Sequence, residues 1–145
     1  MRINGGFQVS KIKQLGDRIF EKILAEQGIE AFNGAQGRIL YVLFQEDGVP
    51  IKTVSEKCGL AITSLTTMLE RMEKSGLILR RQDSVDKRKT LLFLTDKARD
   101  LENDYIAVSE KMGDIYYQGF TEEEKKTAEE YLDRIRLNLE GWQSK

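Results

Sequence analysis

The feature that most constrains the fold of this chain is a pair of short strand-like runs that directly follows an amphipathic helix. Residues 77–82 (LILRRQ) and 90–95 (TLLFLT) are rich in apolar residues, and the polar stretch DSVDKRK between them is typical of a turn. Before them, Ile62, Leu65, Leu69 and Met72 form an apolar stripe at three- and four-residue spacing, which predicts a helix. Gly76 is expected to end this helix. Helix, strand, basic turn and strand in this order predict a β-wing.

A second short helix is predicted just before the first. Ile51, Val54 and Cys58 fall on one side of it, and Gly59 ends it. Two short helices separated by a glycine turn are the outline of a helix-turn-helix. The outer face of the second helix carries small hydroxyl side chains and one arginine, which we predict to contact DNA: Thr63, Ser64, Thr66, Thr67 and Arg71.

Small hydroxyl side chains let a helix lie deep in a major groove, where they bind phosphates or base edges. The alternative is the solvated face of an ordinary surface helix. Threonine is a mediocre helix former, so several threonines on one exposed face are not what stability alone would select. The pattern therefore favours DNA contact.

Charge is distributed unevenly along the chain. The net charge is -1, yet residues 52–99 hold eleven basic and six acidic residues, a net charge of +5. Five of the basic residues lie in or just before the predicted wing turn: Arg80, Arg81, Lys87, Arg88 and Lys89. Charge fluctuates along any chain, but a basic segment within an acidic protein favours a nucleic-acid partner. Arg88, near the tip, is suited to enter a minor groove.

Residue types exclude several classes of function. The sequence has no histidine and one cysteine, Cys58, which excludes a Cys/His zinc site and a Ser-His-Asp triad. No phosphate-binding loop, nucleophile–base pair or metal motif is present, so we expect neither an enzyme nor a cofactor. No apolar run reaches the roughly 18 residues of a membrane helix, and the N-terminus lacks a signal-peptide core. A soluble cytoplasmic protein without a membrane partner is expected.

Cys58 and two tyrosines leave alternatives open. Cys58 could sense oxidants, but its place beside Val54 on the apolar side of a helix favours inert core packing. Tyr116 and Tyr117 could line a ligand pocket, although buried interface aromatics are more common.

Helices are predicted on both sides of the winged segment. Residues 8–26 have helical spacing, and Asn33 could cap a helix that ends at about Phe44. A long helix is predicted after Thr95, and Thr121 with Glu124 forms a capping box for the last one. Their apolar stripes are Val9, Ile12, Leu15, Ile19 and Ile23; Ala98, Leu101, Tyr105, Val108, Met112 and Ile115; and Ala128, Tyr131, Leu132, Ile135, Leu139 and Trp142. These stripes exceed what a small winged lobe can cover, which predicts a homodimer.

Residues 70–98, ERMEKSGLILRRQDSVDKRKTLLFLTDKA, resemble the MarR family of bacterial transcription regulators. The matching positions follow the family's order and spacing: Gly76, Leu77, Ile78, Arg80, Asp86, Arg88, Leu94 and Thr95. The resemblance extends over essentially the whole chain. It implies a dimeric winged helix-turn-helix whose helix from about Ile62 to Ser75 reads the major groove.

The same resemblance implies roles in the wing. By this resemblance Arg88 would enter the minor groove. We further predict that Lys87 and Lys89 contact flanking phosphates and that Arg81 is among the DNA contacts. Asp86 would orient the wing by pairing with an arginine, for which Arg71, Arg80 and Arg81 are the candidates. Three positions depart from the family's common pattern: Met72 stands where Leu is usual, Ala61 where Ser or Thr often caps the recognition helix, and Thr67 where Arg is frequent.

The predicted fold is mostly α with a small β-wing (α+β). Residues 1–145 would form a single domain, in which 33–95 are the winged helix-turn-helix lobe and 1–32 with 96–145 the helical dimerisation region. We expect a sequence-specific transcriptional regulator, a repressor released from a pseudo-palindromic operator by a small-molecule effector of unknown identity. The alternative is a winged-helix module for protein interaction or oligomerisation that does not bind DNA.

Overall fold

The computed structural model describes residues 1–145, which divide into two compact units, residues 1–110 and residues 111–145. The chain forms, in order, α1 (Gly5–Glu26), α2 (Gly34–Gln45), β1 (Val49–Pro50), α3 (Ile51–Cys58), α4 (Ile62–Lys74), β2 (Ile78–Gln82), β3 (Thr90–Leu94), α5 (Asp96–Arg99), α6 (Glu102–Tyr116) and α7 (Glu122–Gln143). None of these helices combines the length and the apolar character needed to cross a bilayer.

The strands form an antiparallel sheet in the order β1-β3-β2. The two wing strands and the turn between them are confirmed at the predicted positions. Strand β1 was not predicted, because its segment has the composition of a turn. It pairs Val49 with Leu92 and Pro50 with Leu91, and the N–H of Gly48 donates to the Leu92 carbonyl at 2.9 Å. Pro50 is tolerated because β1 lies at the edge of the sheet.

The core of the winged lobe is built from the predicted helical stripes and the inner face of the sheet. Leu65, Leu69 and Met72 of α4 are completely buried, as are Ile39 and Leu40 of α2. Other large side chains of the lobe that are almost fully enclosed include Leu43, Val54, Leu77, Ile78 and Leu92. One member of the predicted α4 stripe lies elsewhere: Ile62, in the first turn, is 53% exposed.

The helix caps follow the sequence. The Asn33 side chain accepts from the Gln36 N–H at 2.8 Å, and the Gln36 side chain accepts from the Asn33 N–H at 3.1 Å. Thr121 and Glu124 form the predicted capping box at the start of α7. Each box satisfies two backbone donors that the helix itself leaves unpaired.

The long helix predicted after Thr95 is interrupted. It divides into α5 and α6 at Asp100 and Leu101, where the Leu101 N–H donates to the Ala98 carbonyl at 3.0 Å. This bond spans three residues instead of four, so it forms a single tighter turn of the 3₁₀ type before the α-helical pattern resumes. The apolar spacing continues through the interruption, so the sequence pattern did not reveal it.

Tyr105 of α6 is the centre of an aromatic cluster. Its ring lies 5.7–6.3 Å, centroid to centroid, from the rings of Phe20, Phe32, Tyr41 and Phe44. Burial raises the pKa of the Tyr105 hydroxyl, with a smaller contribution from Tyr41. The cluster joins α1 and α2 to the start of α6 by tilted ring contacts.

Both terminal helices keep apolar side chains exposed in the single chain. Along the first half of α1, Phe7, Val9, Ile12 and Leu15 are all exposed, whereas Ile23 and Leu24 near its end are buried. Helix α7 has no buried residue. Its exposed apolar residues are Tyr131, Leu132, Ile135, Leu137, Leu139 and Trp142.

Candidate nucleic-acid interface

Helix α4 presents its polar face to solvent. Thr63, Ser64, Thr66, Thr67 and Arg71 are all exposed, on the side of the helix away from its buried leucines. The helix begins after Ala61, whose backbone is extended and whose side chain supplies no cap. The Thr66 hydroxyl donates to the Ile62 carbonyl at 2.8 Å, so in this chain it is oriented to accept from a further donor.

The wing turn, residues 83–89, is closed by its own hydrogen bonds. The Asp83 N–H donates to the Lys89 carbonyl at 2.9 Å, and the Lys89 N–H donates to the Asp86 carbonyl at 3.0 Å. The Gln82 side-chain amide donates to the Lys87 carbonyl at 2.7 Å, and the Asp83 carboxylate accepts from the Val85 N–H at 3.0 Å. A turn with this many internal bonds presents its remaining side chains in a defined direction.

Asp86 pairs with Arg88, the residue predicted to enter a minor groove. Its carboxylate accepts from Arg88 Nε at 3.1 Å, from Nη2 at 3.3 Å and from the Arg88 N–H at 3.1 Å. The Arg88 side chain is nevertheless 91% exposed. The bond from the Arg88 side chain, and then that from its backbone N–H, hold the pKa of Asp86 below its ordinary value.

This pairing corrects the expected partner of Asp86. The three candidates were Arg71, Arg80 and Arg81, and the structure pairs Asp86 with none of them. The reason is local: the tight turn folds the backbone N–H of Arg88 onto the Asp86 carboxylate, and the guanidinium of the same residue follows.

Arg80 and Arg81 point to opposite faces of the sheet, as successive strand residues must. Nε of Arg80 lies 3.4 Å from the Glu73 carboxylate of α4, in an ion pair without hydrogen-bond geometry, and this atom is buried. Arg81 lies over the ring of Phe93, 5.5 Å from its centroid. Arg80 therefore connects the wing to α4, and Arg81 remains on the exposed side.

Phe93 also packs against the turn before β1. Gly48 has a φ of 69°, and a Cβ added there would lie 2.8 Å from Cε1 of Phe93. The position therefore needs glycine for two independent reasons, its backbone conformation and the ring above it. Neither Phe93 nor Glu73 was identified from the sequence, because aromatic–cation stacking and an ion pair across elements leave no periodic signal.

Cys58 is buried, and burial raises the pKa of its thiol, with a smaller opposing effect from Arg38. A neutral buried thiol is a poor nucleophile, which agrees with core packing. Tyr116 is exposed, while Tyr117 is partly buried, with its ring edge-on to Phe120 at 5.3 Å.

The end of α1, the start of α2 and the loop between them line an open pocket of about 460 Å³. Leu24, Ile29 and Phe32 supply apolar lining, and Glu21 and Asn33 supply polar groups. Its size is within the range of small-molecule sites.

Comparison with known proteins agrees with this architecture. Residues 32–90 match the MarR family model. The chain is 32% identical over 101 residues to the HTH-type transcriptional regulator TtmR of Methylorubrum extorquens (strain PA1), which covers 70% of this chain and 51% of TtmR. The chain thus spans about half the length of that relative.

Two further known proteins match over larger shares of both aligned chains. The HTH-type transcriptional regulator MhqR of Bacillus subtilis (strain 168) is 26% identical over 113 residues, covering 78% of both proteins. The solved MarR protein from Peptoclostridium difficile DA00132 superposes with a TM-score of 0.87 at 21% identity, covering 100% of this chain and 94% of that one. The winged helix fold is shared over the whole length.

Proposed function

Because this chain belongs to the MarR family of transcription regulators, we propose that it binds a pseudo-palindromic operator as a homodimer and represses transcription from it. The observation that carries the proposal is the joint exposure of the polar face of α4 and of Arg88 at the wing tip. A helix in the major groove and an arginine in the adjacent minor groove read DNA in complementary ways.

The proposed DNA contacts separate into two kinds. The hydroxyl groups of Thr63, Ser64 and Thr67, and the guanidinium of Arg71, would contact base edges and phosphates from α4. Thr66, whose hydroxyl already donates to its own helix, would act as an acceptor. On the wing, Arg88 would enter the minor groove, while Lys87, Lys89 and Arg81 would contact phosphates.

The proposed dimer rests on the exposed apolar faces of the terminal helices. α1 and α7 each carry at least four large apolar side chains that the single chain leaves in water, a pattern that marks protein–protein contact. In a twofold dimer the two recognition helices would be identical and oppositely directed. The operator would therefore consist of two inverted half-sites.

Release by a small-molecule effector is the regulatory part of the proposal. The pocket between α1 and α2 lies where the proposed dimerisation region, 1–32, meets the proposed DNA-binding lobe, 33–95. A ligand bound there would favour one arrangement of the two regions over another, and the operator affinity would change accordingly. The pocket lining mixes apolar and polar side chains, so it does not specify the chemical class of the effector.

Selection of bound sequences from a random DNA pool tests the proposal. We expect an inverted repeat whose half-site centres lie roughly 10 bp apart, and affinity that falls steeply with salt. Shifting one half-site by about half a helical turn should abolish tight binding although every base contact remains available. A protein that selects no site, or whose binding ignores salt, would instead be a winged-helix module for protein contact.

A further inference from the structure

The recognition helix and the wing are connected by three residues, Ser75, Gly76 and Leu77, which we call the hinge. Gly76 has a φ of 80°, and the N–H groups of Gly76 and Leu77 donate back to Glu73 and Met72 at 3.1 and 2.8 Å. These bonds end α4 in a left-handed turn. The hinge is the backbone segment between α4 and the wing, so its conformation contributes to the angle between them.

Thr95, at the far end of β3, closes the hinge. Its hydroxyl donates to the Gly76 carbonyl at 2.6 Å, and its N–H donates to the Leu77 carbonyl at 3.1 Å. The same hydroxyl oxygen accepts from the Ala98 N–H at 3.2 Å, which caps α5. One side chain thus joins the hinge to both the wing strand and the next helix.

Lys97 adds a second bond on the same side. Its ammonium donates to the Ser75 carbonyl at 2.7 Å, at the C-terminal end of α4, where a positive charge is favoured by the helix dipole. Its stem passes over Gly76, 3.9 Å from where a Cβ would lie. The two contacts hold successive carbonyl groups, those of Ser75 and Gly76.

We propose that Thr95 is a positioning residue for operator recognition: it fixes the angle between α4 and the wing so that both enter their grooves at once, and Lys97 supports it. The inference rests on the proposed function. A loose hinge leaves each DNA-contacting surface intact. The hinge must then become ordered when α4 and the wing bind DNA at the same time, and this loss of entropy weakens binding. Its loss should therefore affect the operator, which needs both surfaces in register, far more than random DNA, which needs only positive charge.

The test compares full-length parent, Thr95→Val and Thr95→Ser, each titrated with the selected operator and with random duplex of equal length at one salt concentration. Valine keeps the shape of threonine and removes the hydroxyl, whereas serine keeps the hydroxyl. We expect Thr95→Val to lose about tenfold or more of its operator affinity and to keep its random-DNA affinity within about twofold. Thr95→Ser should retain the parent's ratio of the two affinities.

Three outcomes would overturn the inference. A folded Thr95→Val with the parent's affinity ratio shows that the hydroxyl does not position α4. Equal losses on operator and random DNA show a general stability defect. A parent that selects no operator refutes the proposed function itself, and the inference falls with it.

If circular dichroism shows that Thr95→Val does not fold, Lys97→Met and Lys97→Arg replace the pair. Arginine keeps the charge and a donor for the Ser75 carbonyl, and methionine keeps only the stem. Loss of one charge lowers binding to both DNAs alike, so a reduced operator-to-random ratio in Lys97→Met alone supports the inference. An unchanged ratio contradicts it.

Discussion

At the scale of single residues, the proposed wing contacts divide into lysines that would supply charge and one arginine, Arg88, that would recognise the shape of the minor groove. Lys87→Ala and Lys89→Ala should each weaken binding about equally on all sequences and lower the salt slope by roughly one ion. Arg88→Ala should cost more, about 1–3 kcal/mol of binding free energy, and relax any preference for narrow A·T-rich minor grooves. Salt titrations on the operator and on a G·C-substituted operator distinguish these results; equal effects from all three variants would contradict the assigned roles.

Whether operator affinity rises or falls when Asp86 is replaced tests the role of Asp86 directly. Removing a negative charge next to DNA should tighten binding by electrostatics alone, yet Asp86 also holds Arg88 by three hydrogen bonds. Because a freed arginine loses entropy when it binds, we expect Asp86→Ala to lower operator affinity, roughly three- to tenfold. Asp86→Asn, which keeps an acceptor for the Arg88 N–H, should fall between Asp86→Ala and the parent.

Tighter operator binding by a folded, dimeric Asp86→Ala at moderate salt would show that the pair restrains Arg88 rather than orienting it. Acidity provides a further check. The pKa of Asp86 is lowered in the folded chain, so its contribution is present at every pH above the ordinary carboxyl range. It is lost only as the pH falls through the lowered value. Operator binding between pH 5 and 8 should therefore show no step from Asp86.

At the scale of elements, two glycines with the same positive φ provide a matched pair. Gly48 and Gly59 both have a φ of 69°, but only Gly48 faces a ring, that of Phe93. Gly59→Ala should lower the free energy of unfolding by about 1–2 kcal/mol, the cost of the left-handed conformation. Gly48→Ala should cost a further ~1–3 kcal/mol, because Phe93 must move. Urea unfolding measures both, and equal losses would mean that the ring moves freely.

Helix periodicity and turn chemistry were enough to predict most elements. Asn33, Gly59, Gly76 and Thr121 each stand where the structure starts or ends a helix. Strand β1 escaped prediction because two residues, one of them proline, have no alternating pattern to detect. The interruption at Asp100 and Leu101 escaped because the apolar spacing continues across it.

The candidate site was predictable in part, for a physical reason. Exposed hydroxyls on α4 follow from the position of the buried Leu65 and Leu69, since opposite faces of a helix are fixed by its period. The partner of Asp86 depends instead on how a seven-residue turn folds, and the contacts of Thr95 join residues that are eighteen and nineteen positions apart. Sequence periodicity carries no information at that separation.

At the scale of the whole molecule, the terminal helices predict an obligate homodimer with a large apolar interface, beyond ~2,000 Å². Deleting residues 1–26, or residues 128–145, should give aggregated or unfolded protein, because each deletion removes one exposed apolar face from the proposed interface. Sedimentation of the full chain should show a dimer at micromolar concentration. A folded, soluble monomer under those conditions would contradict the prediction, and the charge variant Lys126→Glu on α7 serves as a control for surface changes that leave the apolar residues intact.

The alternation of Arg80 and Arg81 limits how the wing can change length over time. In the present register Arg81 lies against Phe93 and Arg80 faces Glu73. Losing or gaining one residue inside β2 would reverse this, so that Arg80 would face Phe93 and Arg81 would face Glu73. The same insertion in the turn from 83 to 89 would leave both faces of the strand as they are. Insertions and deletions in related sequences should therefore occur in the turn at the wing tip and not in strands β2 and β3.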